Sequence, residues 1–241
     1  MSKKLNIRFL LYGILLVIFL FYYFGRTIWY PVYIKMVGKK SLIDVYNTVG
    51  KSVEDNLHGY FKKVNANYPP SGITIIGLKS ERQLEIWAEE GNAKRLVQTY
   101  KFTGYSGTLG PKLKSGDRQI PEGLYKIEYL NPNSSFYLSM KIDYPNAFDV
   151  QKSRIDGRSY LGGDIFIHGK SATIGCIPIG DANIEELFTL VYRTGIENTN
   201  VIIAPYDMRK KQVKIEISEI NWLEEKYQRI TNALHNYNDN I

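Results

Sequence analysis

Residues 163–176 read GDIFIHGKSATIGC, a short alternating segment that runs into a loop and ends at the one cysteine of the sequence. Ile165 and Ile167 alternate with Phe166, which is the period-two pattern of a strand with one buried face. Glycine and small polar residues follow His168, as expected where a strand ends in a turn. The segment therefore predicts a strand that carries His168 at its end, and a loop that leads from it to Cys176.

The same alternation recurs on both sides of this segment and decides the fold class. Further strands are predicted over 84–88, 125–129, 136–142, 201–203 and 213–217. One helix, over 184–191, interrupts them between Asp181 as its cap and Gly195 as its stop, and another closes the chain over 222–234. Consecutive strands with few helices favour an antiparallel β-sandwich or barrel-like domain. The predicted fold class is mainly β with a few helices, preceded by an N-terminal transmembrane helix.

The sequence divides into four segments. Apolar residues recur at three-and-four spacing from Leu42 to Val64, behind Ser41 as a cap, so an amphipathic helix is predicted to pack on the domain that follows. The predicted segments are a membrane anchor with a juxtamembrane stretch over 1–40, the amphipathic helix and linker over 41–70, the β-rich domain over 71–209, and a C-terminal strand and helix over 210–241.

An apolar run of sixteen residues without a charge occupies 9–24. As a helix it is about 24 Å long, somewhat short of the roughly 30 Å hydrocarbon core of a bilayer. Trp29, Tyr30 and Tyr33 suit the far interface as an aromatic belt. A cleaved signal peptide needs small residues at its cleavage site, and Tyr23 stands where one is required. The run predicts an uncleaved membrane anchor, with a cleaved signal peptide and a soluble core helix as the alternatives.

The formal net charge of +7 comes entirely from the N-terminus. Seven of the 31 basic residues and none of the 24 acidic residues lie in 1–40, so residues 41–241 hold 24 of each. A basic nucleic-acid-binding domain thereby loses its main support, and no nucleic-acid partner is predicted. Three basic residues precede the apolar run and four follow it, so charge alone leaves the orientation in the membrane open.

Cys176 and His168 are the residues best suited to covalent chemistry. The imidazole can take the thiol proton, and the resulting ion pair favours the nucleophilic thiolate. Gly175 lets the backbone approach a reacting carbonyl, and the Cys176 amide can donate to an oxyanion. The alternative is an inert buried thiol. A lone unpaired thiol in an exported domain favours chemistry.

Metal and nucleotide chemistry find no support in the sequence. His58 and His235 lie on predicted helices as surface residues, and three scattered histidines with one cysteine give no structural zinc spacing. The glycine-rich stretch 104–111 lacks the Lys-Ser/Thr end of a phosphate-binding loop. The sequence therefore predicts neither a metal site nor another cofactor.

Three blocks in order resemble one known family. They are Ile167-His168-Gly169 with Gly175-Cys176, the stretch over 107–125, and the stretch Tyr144-Pro145-Asn146-Ala147-Phe148-Asp149. Together they resemble the L,D-transpeptidase catalytic domain (YkuD), in its YafK-like branch from Gram-negative envelopes. The resemblance implies a β-rich YkuD fold over 71–209 and a cysteine acyl-enzyme that forms on peptidoglycan stem peptides, at the amide after diaminopimelate, without a cofactor.

The resemblance also implies roles for individual residues. Cys176 corresponds to the nucleophile, His168 to its base, and the carbonyl of Gly169 to the group that orients the imidazole. Many members carry a second histidine two residues before the cysteine, where this sequence has Ile174. An arginine or asparagine is common two residues after the cysteine, where this sequence has Pro178.

These departures shift recognition of the substrate carboxylate to other residues. Arg118 is the candidate, because a guanidinium and a carboxylate form a two-point contact. An ion pair of Arg118 with Asp117 or Glu122 is the alternative. Tyr144 and Thr173 are further candidates for substrate binding.

The acyl-enzyme of this family can pass to an amine, which is transpeptidation, or to water. The YafK-like branch is associated with cutting the link between diaminopimelate and a lipoprotein lysine, so a wall-linked lipoprotein is a second partner class. The alternatives to a transpeptidase are an L,D-carboxypeptidase, an amidase that detaches a lipoprotein, and a non-catalytic envelope scaffold; a cytosol-facing domain with an inert cysteine is a third reading. A wall substrate would place a single-pass protein in the inner membrane with its catalytic domain in the periplasm.

Overall fold

The computed structural model describes residues 2–211, 215, 217 and 220–238. The chain divides into two units, Met1–Lys40 and Ser41–Ile241. The first contains helices α1 (Ser2–Phe24) and α2 (Arg26–Val37). Within α1, Ile7–Phe24 has a mean hydropathy of 2.2 and no buried residue. This is an apolar helix of the kind that signal sequences and membrane anchors share.

The second unit begins with the amphipathic segment that the spacing predicts. It consists of α3 (Leu42–Val45), a π-helical turn (Tyr46–Gly50) and α4 (Lys51–Lys63). Ser41 caps the start, and Asp44 completes the reciprocal capping box. The apolar face buries Val53, Leu57 and Phe61, which join the main hydrophobic core of the unit.

Eight strands follow, paired in the order β3-β2-β1-β8-β4-β5-β6-β7. Their bounds are β1 (Gly72–Leu78), β2 (Gln83–Glu90), β3 (Ala93–Lys101), β4 (Gly123–Ser134), β5 (Tyr137–Ile142), β6 (Phe166–His168), β7 (Ile177–Pro178) and β8 (Thr199–Ala204). The remaining helices are α5 (Ala147–Ile155), α6 (Asp181–Thr194), a 3₁₀ turn (Ile196–Asn198) and α7 (Leu223–Leu234). The predicted strand over 213–217 lies mostly outside the described residues.

The sheet corrects the expected antiparallel sandwich or barrel, because the fold is mixed α/β. Strand β8 lies between β1 and β4, parallel to β1 and antiparallel to β4, and β7 is parallel to β6. All seven residues of β1 are buried, as in a central strand that is covered on both faces. One face packs on α4 and α6, and the other packs on α7 through Ile230 and Leu234.

A buried ion pair ties the end of β1 to the loop before β4. Lys79 Nζ lies 2.8 Å from Glu122 Oε1, and both side chains have no exposed surface. The same ammonium donates to the carbonyls of Gly110 and Ile120 at 2.8 and 3.0 Å. Glu122 also accepts from the Gly110 amide and the Tyr227 hydroxyl, each at 2.8 Å. Both ends of the loop over 110–122 are therefore fastened to one buried charge.

We expect Lys79→Met to lower the free energy of unfolding by about 3–5 kcal/mol, because the Glu122 carboxylate would stay buried without its counter-ion. Lys210→Met is the matched control: its side chain is 78% exposed, and its loss should cost less than about 1 kcal/mol. Urea unfolding measures both values. Equal losses in the two variants would contradict the structural role of the buried pair.

Candidate active site

Strands β6 and β7 bring the predicted catalytic residues together at one edge of the sheet. In their parallel pairing, Ile167 is opposite Ile177 and His168 is opposite Pro178. Cys176 therefore lies at the entry to β7, beside Phe166. Ile167 and Ile177 enter the hydrophobic core, and side chains alternate along a strand, so His168 and Cys176 lie on the opposite face.

The imidazole of His168 is held in one tautomer. Its Nδ1 lies 2.5 Å from the carbonyl oxygen of Gly169, and because a carbonyl only accepts, Nδ1 carries the proton and Nε2 keeps its lone pair. The Phe136 ring packs against it with centroids 4.8 Å apart. Burial lowers the pKa of His168 to about 4, although the Gly169 carbonyl acts in the opposite direction. The ring is therefore a neutral base at neutral pH.

The thiol of Cys176 is partly exposed and points to a backbone carbonyl. Its Sγ donates to the carbonyl oxygen of Asp164 at 3.7 Å. Nε2 of His168 is buried and has no hydrogen-bond partner among the described residues, so the expected contact between thiol and imidazole is not made in this structure. Burial raises the pKa of Cys176; the Phe166 backbone and the Lys112 ammonium lower it in part. The thiol is therefore protonated in this arrangement.

The turn before Cys176 is closed by the hydroxyl of Thr173. This Oγ1 donates to the Cys176 carbonyl at 2.7 Å and accepts from the amides of Cys176 and Gly175 at 2.9 and 3.3 Å. Gly175 has φ +129°, and a Cβ there would lie 3.1 Å from the carbonyl oxygen of Gln119. In this structure Thr173 occupies the amides expected to serve an oxyanion and organises the turn, so an oxyanion binds them only by replacing its hydroxyl.

Arg118 is free of the ion pairs proposed as its alternative. Asp117 pairs with Lys112 at 2.5 Å, and Glu122 pairs with Lys79, so both carboxylates are already neutralised. The Arg118 side chain is exposed, at φ +57°, and no ion pair involves it within the part of the chain that the structure describes. The backbone of its neighbour Gln119 lies against Gly175, so Arg118 is adjacent in sequence to a residue that contacts the turn before Cys176.

Tyr144 is a buried structural residue that a substrate cannot contact. Only 3% of it is exposed, and its hydroxyl donates to the carbonyls of Leu161 and Lys112 at 3.2 and 3.4 Å. The pKa of Tyr144 is raised, first by burial and then by the charge of Asp149. Its predicted role in substrate binding is therefore replaced by a hydrogen-bonded link between the segments that contain Lys112 and Leu161.

Sequence reasoning missed several residues that hold the site in place. Asp117 accepts from the side chain of Lys112 and from the amides of Leu113, Lys114 and Gln119. Asp181 is not the cap of α6, since Gly180 holds that position; it accepts from the Lys170 amide at 2.8 Å and pairs with the Lys170 side chain. It thereby fixes the turn after His168. The sequence offers one local signal for these contacts: a glycine-containing turn separates Lys112 from Asp117, so an ion pair between them could be predicted.

The residues that the structure describes contain no set of metal ligands. Among the residues described, no group of three or more His, Cys, Asp or Glu side chains could hold an ion.

Residues 72–203 match the family model for the L,D-transpeptidase catalytic domain, YkuD. Two curated proteins named "Putative L,D-transpeptidase YafK", from Escherichia coli K12 and Escherichia coli O157:H7, are each 36% identical over 149 residues. The alignment covers 60% of this chain and 58% of each relative. The chain thus spans less than two thirds of the curated relatives it matches.

Similar solved structures include two proteins of low sequence identity. The helical cell shape determining protein Pgp2 from Campylobacter jejuni is 20% identical with a TM-score of 0.46, covering 66% of this chain and 57% of that one. Bd1075 from Bdellovibrio bacteriovorus is 17% identical with a TM-score of 0.42, covering 70% of this chain and 56% of that one.

The neutral, buried state of His168 predicts a pH-dependent stability. Its pKa of about 4 lies below the ordinary value of 6.5, so the unfolded chain binds more protons between these values. The stability is fully present above pH 6.5 and is lost as the pH falls toward 4. Between pH 7 and pH 4.5, the wild type should lose about 2–3 kcal/mol more unfolding free energy than His168→Gln. Urea unfolding at both pH values measures the difference, and equal losses would show that the ring is not buried as a neutral base.

Proposed function

The chain belongs to the L,D-transpeptidase catalytic-domain (YkuD) family, a family of enzymes, and from this membership we propose that it acts on peptidoglycan stem peptides through a Cys176 thioester. The observation that carries the proposal is the placement of Cys176 beside the strand of His168, with Nδ1 of that ring fixed on the Gly169 carbonyl. This leaves Nε2 as the atom that can take a proton on the face where the thiol lies.

The first step of the proposed reaction activates the thiol. Rotation about the Cα–Cβ bond of Cys176 moves Sγ from the Asp164 carbonyl toward Nε2 of His168. The S–H proton passes to Nε2, and the imidazolium and thiolate stabilise each other. The ammonium of Lys112 adds positive charge near the sulfur, which lowers the thiol pKa. Substrate binding brings the two groups together, and the attraction between thiolate and imidazolium offsets the cost that burial imposes on each charge.

The second step forms the thioester. The thiolate attacks the amide carbonyl after diaminopimelate, and the carbonyl oxygen becomes an oxyanion. The amides of Cys176 and Gly175 are the donors nearest the sulfur, and they reach the oxyanion when it replaces the Thr173 hydroxyl as their acceptor. Nε2–H then gives its proton to the leaving amine, the C–N bond breaks, and the acyl group remains on Sγ.

The acceptor of the acyl group defines the activity. Transfer to an amine is transpeptidation and is the activity we favour; transfer to water makes the chain an L,D-carboxypeptidase, or an amidase that detaches a lipoprotein from the wall. We further propose that the apolar helix Ile7–Phe24 holds the protein in the inner membrane as a single-pass anchor. The catalytic unit then lies in the periplasm, where peptidoglycan is found.

A second candidate function is a non-catalytic envelope scaffold that binds the wall or a partner. Two observations favour it: the raised pKa of the Cys176 thiol and the absence, among the described residues, of a partner for Nε2 of His168. Unliganded enzymes often hold catalytic groups slightly apart until a substrate binds, so these observations are also compatible with the enzyme.

The full-length chain in detergent, incubated with disaccharide-tetrapeptide and an amine acceptor, should release the terminal residue and form either the amide product or the free tripeptide. Mass spectrometry of the muropeptides separates the two outcomes. Cys176→Ala should abolish both products, because no thioester can form. Products that persist in Cys176→Ala would rule out the cysteine mechanism, and binding without turnover in the wild type would support the scaffold.

Arg118→Gln should lower kcat/KM for a stem peptide with a free carboxylate by about 10- to 100-fold, since a charge-assisted contact contributes about 1.5–3 kcal/mol. The amidated stem peptide lacks the anionic partner, so its turnover should change little. Arg118→Lys keeps the positive charge but loses the two-point contact of the guanidinium. Its kcat/KM for the peptide with the free carboxylate should lie between those of the wild type and Arg118→Gln. If Arg118→Gln slows both substrates equally, Arg118 does not bind the carboxylate.

A further inference from the structure

Two buried polar atoms without partners lie on directly paired residues of neighbouring strands. Ser139 on β5 and His168 on β6 are each 1% exposed. The hydroxyl of Ser139 and Nε2 of His168 both have no hydrogen-bond partner among the described residues. In the antiparallel pairing of β5 and β6, Ser139 is opposite His168. Unpaired buried polar atoms are rare in folded proteins, so two on one residue pair call for a common explanation.

The strand geometry places the two side chains on one face. Leu138, Met140 and Ile167 enter the hydrophobic core, and side chains alternate along each strand. Ser139 and His168 therefore share the other face. Opposite residues in an antiparallel pair have Cβ atoms about 4.5–5.5 Å apart, and the Gly169 amide donates to the Leu138 carbonyl at 3.1 Å, which keeps the strands paired at this point.

The other neighbours of the His168 ring are engaged elsewhere, so Ser139 is the candidate partner for Nε2. Nδ1 is bound to the Gly169 carbonyl, the ring packs on Phe136 with the two planes tilted by 39°, and the thiol of Cys176 points to Asp164. A rotation of the serine side chain toward the ring would satisfy both unpartnered atoms at once. A hydroxyl is suited to this task, because it donates to a bare nitrogen and accepts from a protonated one.

We infer that Ser139 is a positioning residue for His168, an inference that rests on the proposed cysteine chemistry. In the resting state its hydroxyl donates to Nε2 of the neutral ring. When the thiol gives its proton to Nε2, the S–H bond breaks and an N–H bond forms. The serine hydroxyl then turns, and its oxygen shares that N–H with the thiolate. Ser139 thereby supports a charged ring in a place where burial opposes the charge.

The test uses alkylation of Cys176 by iodoacetamide at pH 7, which needs no substrate and reports on the one thiol of the chain. We expect Ser139→Ala to slow alkylation on the order of 10- to 100-fold, because the protonated ring would lose a hydrogen bond that stabilises its charge. Ser139→Thr keeps the hydroxyl and should stay within about threefold of the wild type. Ser153→Ala is the matched control, because Ser153 is also buried and its hydroxyl donates to the Val150 carbonyl of its own helix.

A second variant shows whether Ser139 acts through the ring. In the His168→Gln background, the further change Ser139→Ala should leave the alkylation rate unchanged. An equal slowing in both backgrounds would show a general structural effect and overturn the inference. The imidazole ¹⁵N resonance of Nε2 gives an independent readout: it should move in Ser139→Ala toward the position of an unbonded nitrogen and stay fixed in Ser153→Ala.

The two proposals fail in different ways. If Cys176→Ala abolishes muropeptide turnover while Ser139→Ala is alkylated at the wild-type rate, the proposed enzymatic function is supported and the positioning role of Ser139 is wrong. If the wild type turns over no muropeptide but Ser139→Ala slows alkylation only when His168 is present, the contact between Ser139 and His168 is supported and the proposed function is wrong.

Discussion

The buried ion pair between Lys79 and Glu122 is the constraint on which the site depends. Neither side chain reaches solvent, and the Lys79 ammonium also holds the carbonyls of Gly110 and Ile120. The loop between these residues contains Asp117, which gathers three amides and the ammonium of Lys112 into one turn. A charge that is buried at the end of β1 thus sets the path of a loop that passes the thiol.

The same pair connects the loop to the far side of the sheet. Helix α7 reaches Glu122 through the Tyr227 hydroxyl, and Lys226 of that helix donates to the Glu122 carbonyl and to Asp149. The Gln119 carbonyl on this loop approaches Gly175, where a Cβ would come within 3.1 Å. Glycine at 175 is therefore a consequence of where the loop is anchored, and the anchor in turn involves a helix more than a hundred residues away along the chain.

The parts of the fold that follow local rules could be predicted from the sequence. Alternation marks β2 and β5, and three-and-four spacing marks the helix behind Ser41, because burial of one face fixes each period. The place of β8 between β1 and β4 could not be predicted, since Val201, Ile202 and Ile203 carry no alternation that distinguishes a central parallel strand. A continuous apolar run is compatible with several partners, and the long-range pairing decides among them.

The candidate site divides in the same way. His168, Gly169 and Cys176 could be named from a local motif, and their backbone relation follows from the pairing of β6 with β7. The freedom of Arg118 could not be foreseen, because it depends on Lys112 and Lys79 taking the two nearby carboxylates. Nor does sequence spacing show that the Thr173 hydroxyl occupies the amides expected for an oxyanion, since that depends on the exact turn.

In the proposed reaction, all proton transfer at the thiol passes through one ring. Ile174, which is 78% exposed, stands two residues before the nucleophile, and its aliphatic side chain neither takes nor gives a proton. His168 must therefore deliver the thiol proton to the leaving amine before it can accept a proton from the incoming amine or water. This order requires the leaving amine to be protonated before the acceptor is deprotonated, because one nitrogen cannot serve both steps at once. Water satisfies the requirement as readily as an amine does, so hydrolysis and transfer share every proton transfer at His168 and differ in which nucleophile attacks the thioester.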